Sequence, residues 1–279
     1  MLCVVNTRAD CLELFNLLPE DCRVHLSASM CGAHRAKVIA GIKRRLDGPG
    51  PLRVVSTQLV EAGVDIDFPV VYRAFTGLSS VVQTAGRCNR EGRLGGLGRV
   101  VVFMPPKPSP QGLLRFSEYA TEDVLARSGF TADDPSVYPA FFESFYGRIG
   151  GHGEKFAELL ARDARDFRFQ FREAAAAFRM IDDRASASVV VRYGESERFI
   201  TALRAAGPKR DILRRLQRYT VNVPRRALDG LVRRGLVSVV GGAPDGTGGV
   251  PVQEDTTLYS ETTGLDMKRE FMTPEDLIV

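Results

Sequence analysis

Short apolar runs at Leu2–Val5, Val24–Leu26, Leu52–Val55, Pro69–Tyr72 and Arg99–Phe103 punctuate the N-terminal part of the chain. Segments with helical spacing lie between the first of them. One carries Leu12, Phe15 and Leu18 and is stopped by Pro19; another, Ala33–Leu46, holds His34, Arg35, Lys37, Lys43, Arg44 and Arg45 and is broken at Gly48–Pro51. Parallel strands cannot be joined by a tight turn and need a crossover, usually helical. Apolar runs that alternate with helices therefore predict an α/β fold, a parallel sheet with helices on both faces. In such sheets the chemistry lies beyond the carboxyl ends of the strands. Polar clusters stand there: Asn6-Thr7-Arg8, Ser27-Ala28-Ser29 and Ser56-Thr57-Gln58. Each suits either capping of the next helix or, with helix N–H groups, the holding of phosphates.

The densest chemistry falls in Ser56–Arg93, STQLVEAGVDIDFPVVYRAFTGLSSVVQTAGRCNREGR. On a helix beginning near Ser79, Gln83, Arg87 and Arg90 fall at i, i+4 and i+7, which lines them up on one face. Guanidinium forks at that spacing suit phosphate oxygens, which they meet bidentately. The competing reading is a solvated basic face made of Arg87, Arg90 and Arg93. Gly86 removes a side chain where a ligand or another surface could approach.

STQLVEAGVDID resembles motif V, and QTAGRCNREGR motif VI, of superfamily 2 helicases. VVNTR is similar to motif IV and HLSASMCGAHR to the segment after it. CNREG, with RRLQRYTVNVP and YSETTGL further on, resembles the helicase–nuclease effector of type I CRISPR systems, in its I-C-like branch. The resemblance implies a second RecA-like motor lobe that uses ATP and Mg2+ only in a complete two-lobe enzyme. Arg87 and Arg90 would then be arginine fingers, with Gln83, Gly63, Asp65 and Gly86 on the nucleotide side. Gln83 would sense the γ-phosphate, and Asp65 would link nucleotide state to the DNA-holding loop. Thr7, Arg8, Ser27, Arg35, Thr57 and Gln58 would grip single-stranded DNA, and no metal ligand is expected from this chain. Thr84 stands where the family often has a basic residue, so a contact at that position is not carried over.

Pro105–Pro110 marks a boundary, and the pattern then turns helical and aromatic. The expected organisation is a RecA-like lobe over 1–105, a helical linker region over 106–185 and a basic α+β domain over 186–279. Phe141, Phe142, Phe145, Tyr146, Phe156, Phe167, Phe169, Phe171 and Phe178, interleaved with Arg165, Arg168 and Arg172, fit core packing better than base stacking. In the last part, Arg204, Lys209, Arg210, Arg214, Arg215, Arg218, Arg225, Arg226, Arg233 and Arg234 face only Asp211 and Asp229, a density that attracts polyanions. The net charge of the whole chain is a modest +4, so the excess is local.

The 5 cysteines are odd in number and contain no C-x-x-C pair, which argues against a disulfide scaffold or zinc site and for reduced thiols in a cytoplasm. No membrane-length apolar run or signal pattern occurs. GGHGEK at 150–155 lacks the full phosphate-loop pattern. No acidic Mg2+-binding box follows a strand, and none of the 3 histidines is followed by Asp. A motor needs both a phosphate loop and fingers, so the chain alone is expected not to turn over ATP. Because it begins directly in a strand, it reads as a fragment or one part of a split gene. Its expected partners are single-stranded DNA, the absent first lobe and HD nuclease, and the RNA-guided surveillance complex. Two other readings stay open: a non-catalytic nucleic-acid-binding module, and another superfamily 2 motor.

Overall fold

The structure, a computed structural model, describes residues 1–126, 134–149, 158, 161, 170–173, 186–242 and 248–267. The expected aromatic positions Phe156, Phe167, Phe169 and Phe178, the GGHGEK segment and the C-terminal tail lie outside the described residues. The chain forms two compact units that interleave along the sequence: Met1–Thr7 with Val60–Asp182, and Arg8–Leu59 with Asp183–Val279.

In the first unit, β1 (Leu2–Val4), β4 (Val70–Ala74) and β5 (Arg99–Phe103) run parallel, with Leu2 opposite Val71 and Val71 opposite Val100. β1 is buried on both faces, as its unbroken apolar run requires. Helices α3 (Leu78–Ala85), α4 (Leu113–Leu125) and α5 (Val137–Ile149) follow, and Leu78, Ala120, Val124, Val137 and Phe141 form their shared core. Phe141 is buried and stacks on the half-buried Phe145, so these two serve packing as expected, whereas Phe142, Tyr146 and Phe171 are exposed.

The second unit holds α1 (Arg8–Leu17), β2 (Arg23–Leu26), α2 (Gly32–Leu46) and β3 (Arg53–Ser56), with β2 and β3 parallel. Its C-terminal part supplies β6 (Ser186–Val190), α6 (Ser196–Ala206), α7 (Arg210–Leu216), β7 (Thr220–Pro224), α8 (Arg225–Arg233), β8 (Val237–Val240) and β9 (Val250–Gln253). The strands make a mixed sheet ordered β7-β6-β9-β8, the expected small α+β arrangement. Val189, Val191, Val221, Val223, Leu228 and Leu231 fill its interior, while Arg225, Arg226, Arg233 and Arg234 stay exposed. A two-stranded hairpin, β10 (Tyr259–Ser260) with β11 (Gly264–Leu265), closes the described chain.

All the cysteines are free, and Cys3, Cys11, Cys22 and Cys31 are buried as small apolar residues. Burial pushes the Cys3 thiol up to about 11. Among the described residues, no helix is long and apolar enough to cross a membrane and no group of acidic, His or Cys side chains could hold a metal ion.

His25, on β2, is buried against the edge of Phe15, and neither ring nitrogen has a hydrogen-bond partner among the described residues. Burial, with a smaller contribution from His34, lowers its pKa from 6.5 to about 4. The unfolded chain therefore takes up this proton first as pH falls. Stability is full above pH 6.5 and declines toward pH 4, by roughly 3 kcal/mol for this group. Urea unfolding of the second unit at pH 7 and pH 4.5 measures the decline, and His25→Phe is expected to flatten it.

Candidate nucleotide and nucleic-acid sites

In the first unit, Gly63 turns the chain through a left-handed conformation (φ 71°) and leads to Asp65 and Asp67. The Asp67 carboxylate accepts from the main-chain N–H groups of Arg90 (2.8 Å) and Glu91 (3.2 Å). Phe68 N–H donates to the Arg87 carbonyl (2.9 Å), and Asn89 N–H donates to the Phe68 carbonyl (3.0 Å). Asn89 itself is left-handed (φ 48°), a conformation that a short polar side chain tolerates. Its amide group accepts from Leu94 N–H and donates to the Gly96 carbonyl, closing the CNREG loop on itself.

These main-chain bonds correct the expected helix. α3 ends at Ala85, so Gln83, Arg87 and Arg90 do not share one helical face. Gly86 caps the helix and donates to the Val82 carbonyl. A Cβ there would approach the carbonyls of Gln83 and Val82, at 3.4 and 3.7 Å, and nothing else among the described residues crowds the position.

Arg87 is half-buried and turned toward the motif V backbone: Nε donates to the Val60 carbonyl (2.8 Å) and Nη2 to the Glu61 carbonyl (2.7 Å). That is the side-on edge of the fork, and among the described residues the remaining Nη1 group is uncommitted. Arg90 lies at the surface, with Nη1 2.6 Å from Asp65 Oδ1 and side-chain exposures of 45% and 66%. An exposed pair of this kind contributes 0–1 kcal/mol, so it opens readily for a stronger acceptor. Gln83 is exposed.

Behind this surface lies a buried polar chain that the sequence reading left out. Arg73, on β4, is fully buried, and its Nη2 is 3.1 Å from Glu61 Oε1. Nη1 donates to Asn6 Oδ1 (2.6 Å) and to the Ala74 carbonyl (3.0 Å). Glu61 also accepts from Ser80 Oγ and Thr84 Oγ1 on α3. Asn6 donates onward to the Phe75 carbonyl (2.8 Å), Ser109 and Glu118, and Glu118 pairs with Arg115. Burial pulls the Arg73 pKa down and Glu61 opposes the shift. Glu61 thus ties motif V to β4 through its carboxylate, to α3 through two hydroxyls, and to Arg87 through its carbonyl. An arginine inside the apolar run VVYRA was the available signal, because a buried cation demands a carboxylate.

The second unit contains the other expected set. Ser27 is fully buried; its Oγ accepts from Ser29 N–H, the local turn bond of a structural serine. Thr57 is 5% exposed, and Ser56 donates to the Leu26 carbonyl. At Ser27 and Ser56 the hydroxyls are therefore spent on shaping the loops, and Thr57 is tied in through its main chain, its N–H donating to the Leu26 carbonyl and its carbonyl accepting from Ser56 Oγ. Arg8 and Arg35 are half-buried, as is Gln58. Arg8 opens α1 and donates to the Asn222 carbonyl (2.9 Å). Its pKa is pulled down by burial and further by nearby Arg35, which sits in the first turn of α2, where no acidic residue stands. Two cations near each other at helix N-termini repel both each other and the helix dipoles, an arrangement relieved by an anion. In the first unit, Thr7 is half-buried beside the buried Asn6.

Residues 1–93 match the family described as CRISPR-associated nuclease/helicase Cas3, C-terminal. Those residues are similar to a Cas3 C-terminal helicase region. Over 64 residues it is 45% identical to the CRISPR-associated nuclease/helicase Cas3 of Haloferax volcanii, 22% of this chain and 7% of that protein. Over 91 residues it is 33% identical to Cas3 of Methanothermobacter thermautotrophicus, 32% of this chain and 11% of that protein. The crystal structure of T. fusca Cas3-ADP covers 95% of this chain and 38% of its own at 16% identity and a TM-score of 0.56. T. fusca Cas3-ATP covers 80% and 32%, at 20% identity and a TM-score of 0.52. The fold is shared with these Cas3 structures, of which the chain spans well under half the length.

Proposed function

We propose that the chain is the second motor lobe and C-terminal domain of an ATP-dependent single-stranded DNA translocase acting in type I CRISPR interference. Residues 1–105 would be the lobe, 106–185 the connecting region and 186–279 the basic domain. The single observation that carries this reading is the motif V–VI arrangement in the first unit: an arginine fork clamped on one edge, its other edge uncommitted, beside an openable Arg90 and an exposed Gln83. Those groups fit a triphosphate. Bound ATP, with its Mg2+, would supply the phosphoryl group whose transfer to water drives movement. Arg87 and Arg90 would stabilise charge developing on that group, and Gln83 would register its presence. Arg90 would exchange Asp65 for the nucleotide, and the released carboxylate would link nucleotide state to the DNA-holding loop. Gly63 and Gly86 would leave room for the approach.

Arg8, Arg35 and Gln58, with the loops at Ser27 and Thr57, would hold strand phosphates; Thr7, in the first unit, would be a separate nucleic-acid contact. The phosphate loop, HD nuclease and surveillance-complex contacts would come from other parts of the complete enzyme in the cytoplasm, and this chain by itself would not hydrolyse ATP. A second reading, a non-catalytic nucleic-acid-binding module, draws support from Arg87 spending two donors on its own backbone.

Oligo(dT) affinity of the chain combined with a phosphate-loop lobe, measured at two salt concentrations with and without a non-hydrolysable ATP analogue, separates them. The motor reading expects salt-sensitive binding that the nucleotide shifts several-fold. Salt-sensitive binding that ignores the nucleotide supports the module.

A further inference from the structure

YSETTGL, singled out in the sequence, has no role in the motor reading, yet its strands make the hairpin β10–β11. Within the second unit this hairpin is joined to the loop Ser27–Cys31 and to the start of α2. Leu265 N–H donates to the Ser29 carbonyl (2.8 Å). The Tyr259 hydroxyl accepts from Cys31 N–H (3.0 Å) and is 2.8 Å from His34 Nδ1. His34 also makes a hydrogen bond with the Glu261 main chain, which works against the lowering of its pKa by burial. Tyr193 stacks on His34 at 4.5 Å. Cys31 is the N-cap of α2 and has no side-chain capping bond, so the tyrosine from the hairpin provides a partner that the helix start lacks. Gly264 is left-handed (φ 83°), and a Cβ there would come 2.3 Å from the Ser29 carbonyl oxygen. The hairpin and loop fit so closely that any side chain at 264 must displace one of them.

We propose that the β10–β11 hairpin is a brace that fixes the Ser27–Cys31 loop and the first turn of α2, and so positions Arg35 for a nucleic-acid phosphate. Tyr259, Gly264 and His34 are positioning residues; none of them touches the strand. The inference rests on the reading of Arg35 as a strand contact.

The test uses the full chain and a fluorescent oligo(dT), with affinity measured across a salt series. Arg35→Ala removes a charge, and is expected to weaken binding and to reduce the salt slope by about 1. Tyr259→Phe keeps the ring but removes the hydroxyl; Gly264→Ala pushes on Ser29. Both are expected to weaken binding about 5-fold or more with the salt slope unchanged, because no charge is lost. Tyr259→Phe keeps the test informative if Gly264→Ala fails to fold. Weaker binding by Arg35→Ala alongside wild-type binding by Tyr259→Phe overturns the brace and leaves the strand contact standing. Wild-type binding by Arg35→Ala overturns the strand contact, and the brace falls with it.

Discussion

Glu61→Ala is expected to destabilise the first unit by about 3–5 kcal/mol, because it leaves the fully buried Arg73 guanidinium without its counter-charge. The loss is that of an uncompensated buried cation, plus the two α3 hydroxyls that Glu61 accepts from. The double variant Glu61→Gln with Arg73→Met removes both charges, and is expected to recover most of the loss, since a buried pair adds little over well-packed neutral groups. Urea midpoints of the two variants against the parent chain measure this. A loss under about 1 kcal/mol for Glu61→Ala would mean that the pair is hydrated and the network is not what holds motif V to α3.

The second large effect concerns Arg87. In a complete two-lobe enzyme, Arg87→Ala is expected to lower DNA-stimulated ATP turnover by about 10^3-fold, the scale of a removed finger, with KM much less affected. Arg87→Lys is expected to fall nearly as far, because an ammonium cannot hold the Val60 and Glu61 carbonyls with one edge while offering another edge to a phosphate. Arg90→Ala should also lower turnover, although its ion pair with Asp65 is exposed and adds little to the fold. If Arg87 were only a clip on the motif V backbone, its loss would lower thermal stability and Arg90→Ala would be neutral.

β1 was legible because burial on both faces leaves an unbroken apolar run; Arg99–Phe103 was read at the bounds that β5 takes, although its residues are exposed or half-buried. The end of α3 was not legible. Helical periodicity continues through Arg87 and Arg90, and what stops it is a main-chain bridge to Phe68, a distant partner that no local window contains. Arg73 was visible as an anomaly in VVYRA, but its partner Glu61 lies across the FPVVY strand segment and is joined to it only by the fold. At Ser27 the residue type fitted a phosphate track and a structural turn equally well, and only the fold shows the hydroxyl buried and accepting from Ser29 N–H. The two-residue strands of β10–β11 are too short to carry any period, although YSETTGL was recognised by resemblance.

The central claim is that this chain supplies one side of a nucleotide pocket whose other side belongs to a phosphate-loop lobe. ATP turnover by that lobe, measured with single-stranded DNA in the presence and absence of this chain, tests it most directly. The account predicts that turnover appears only when the chain is added, and vanishes again when the added chain carries Arg87→Ala. Equal turnover with and without the chain would contradict it.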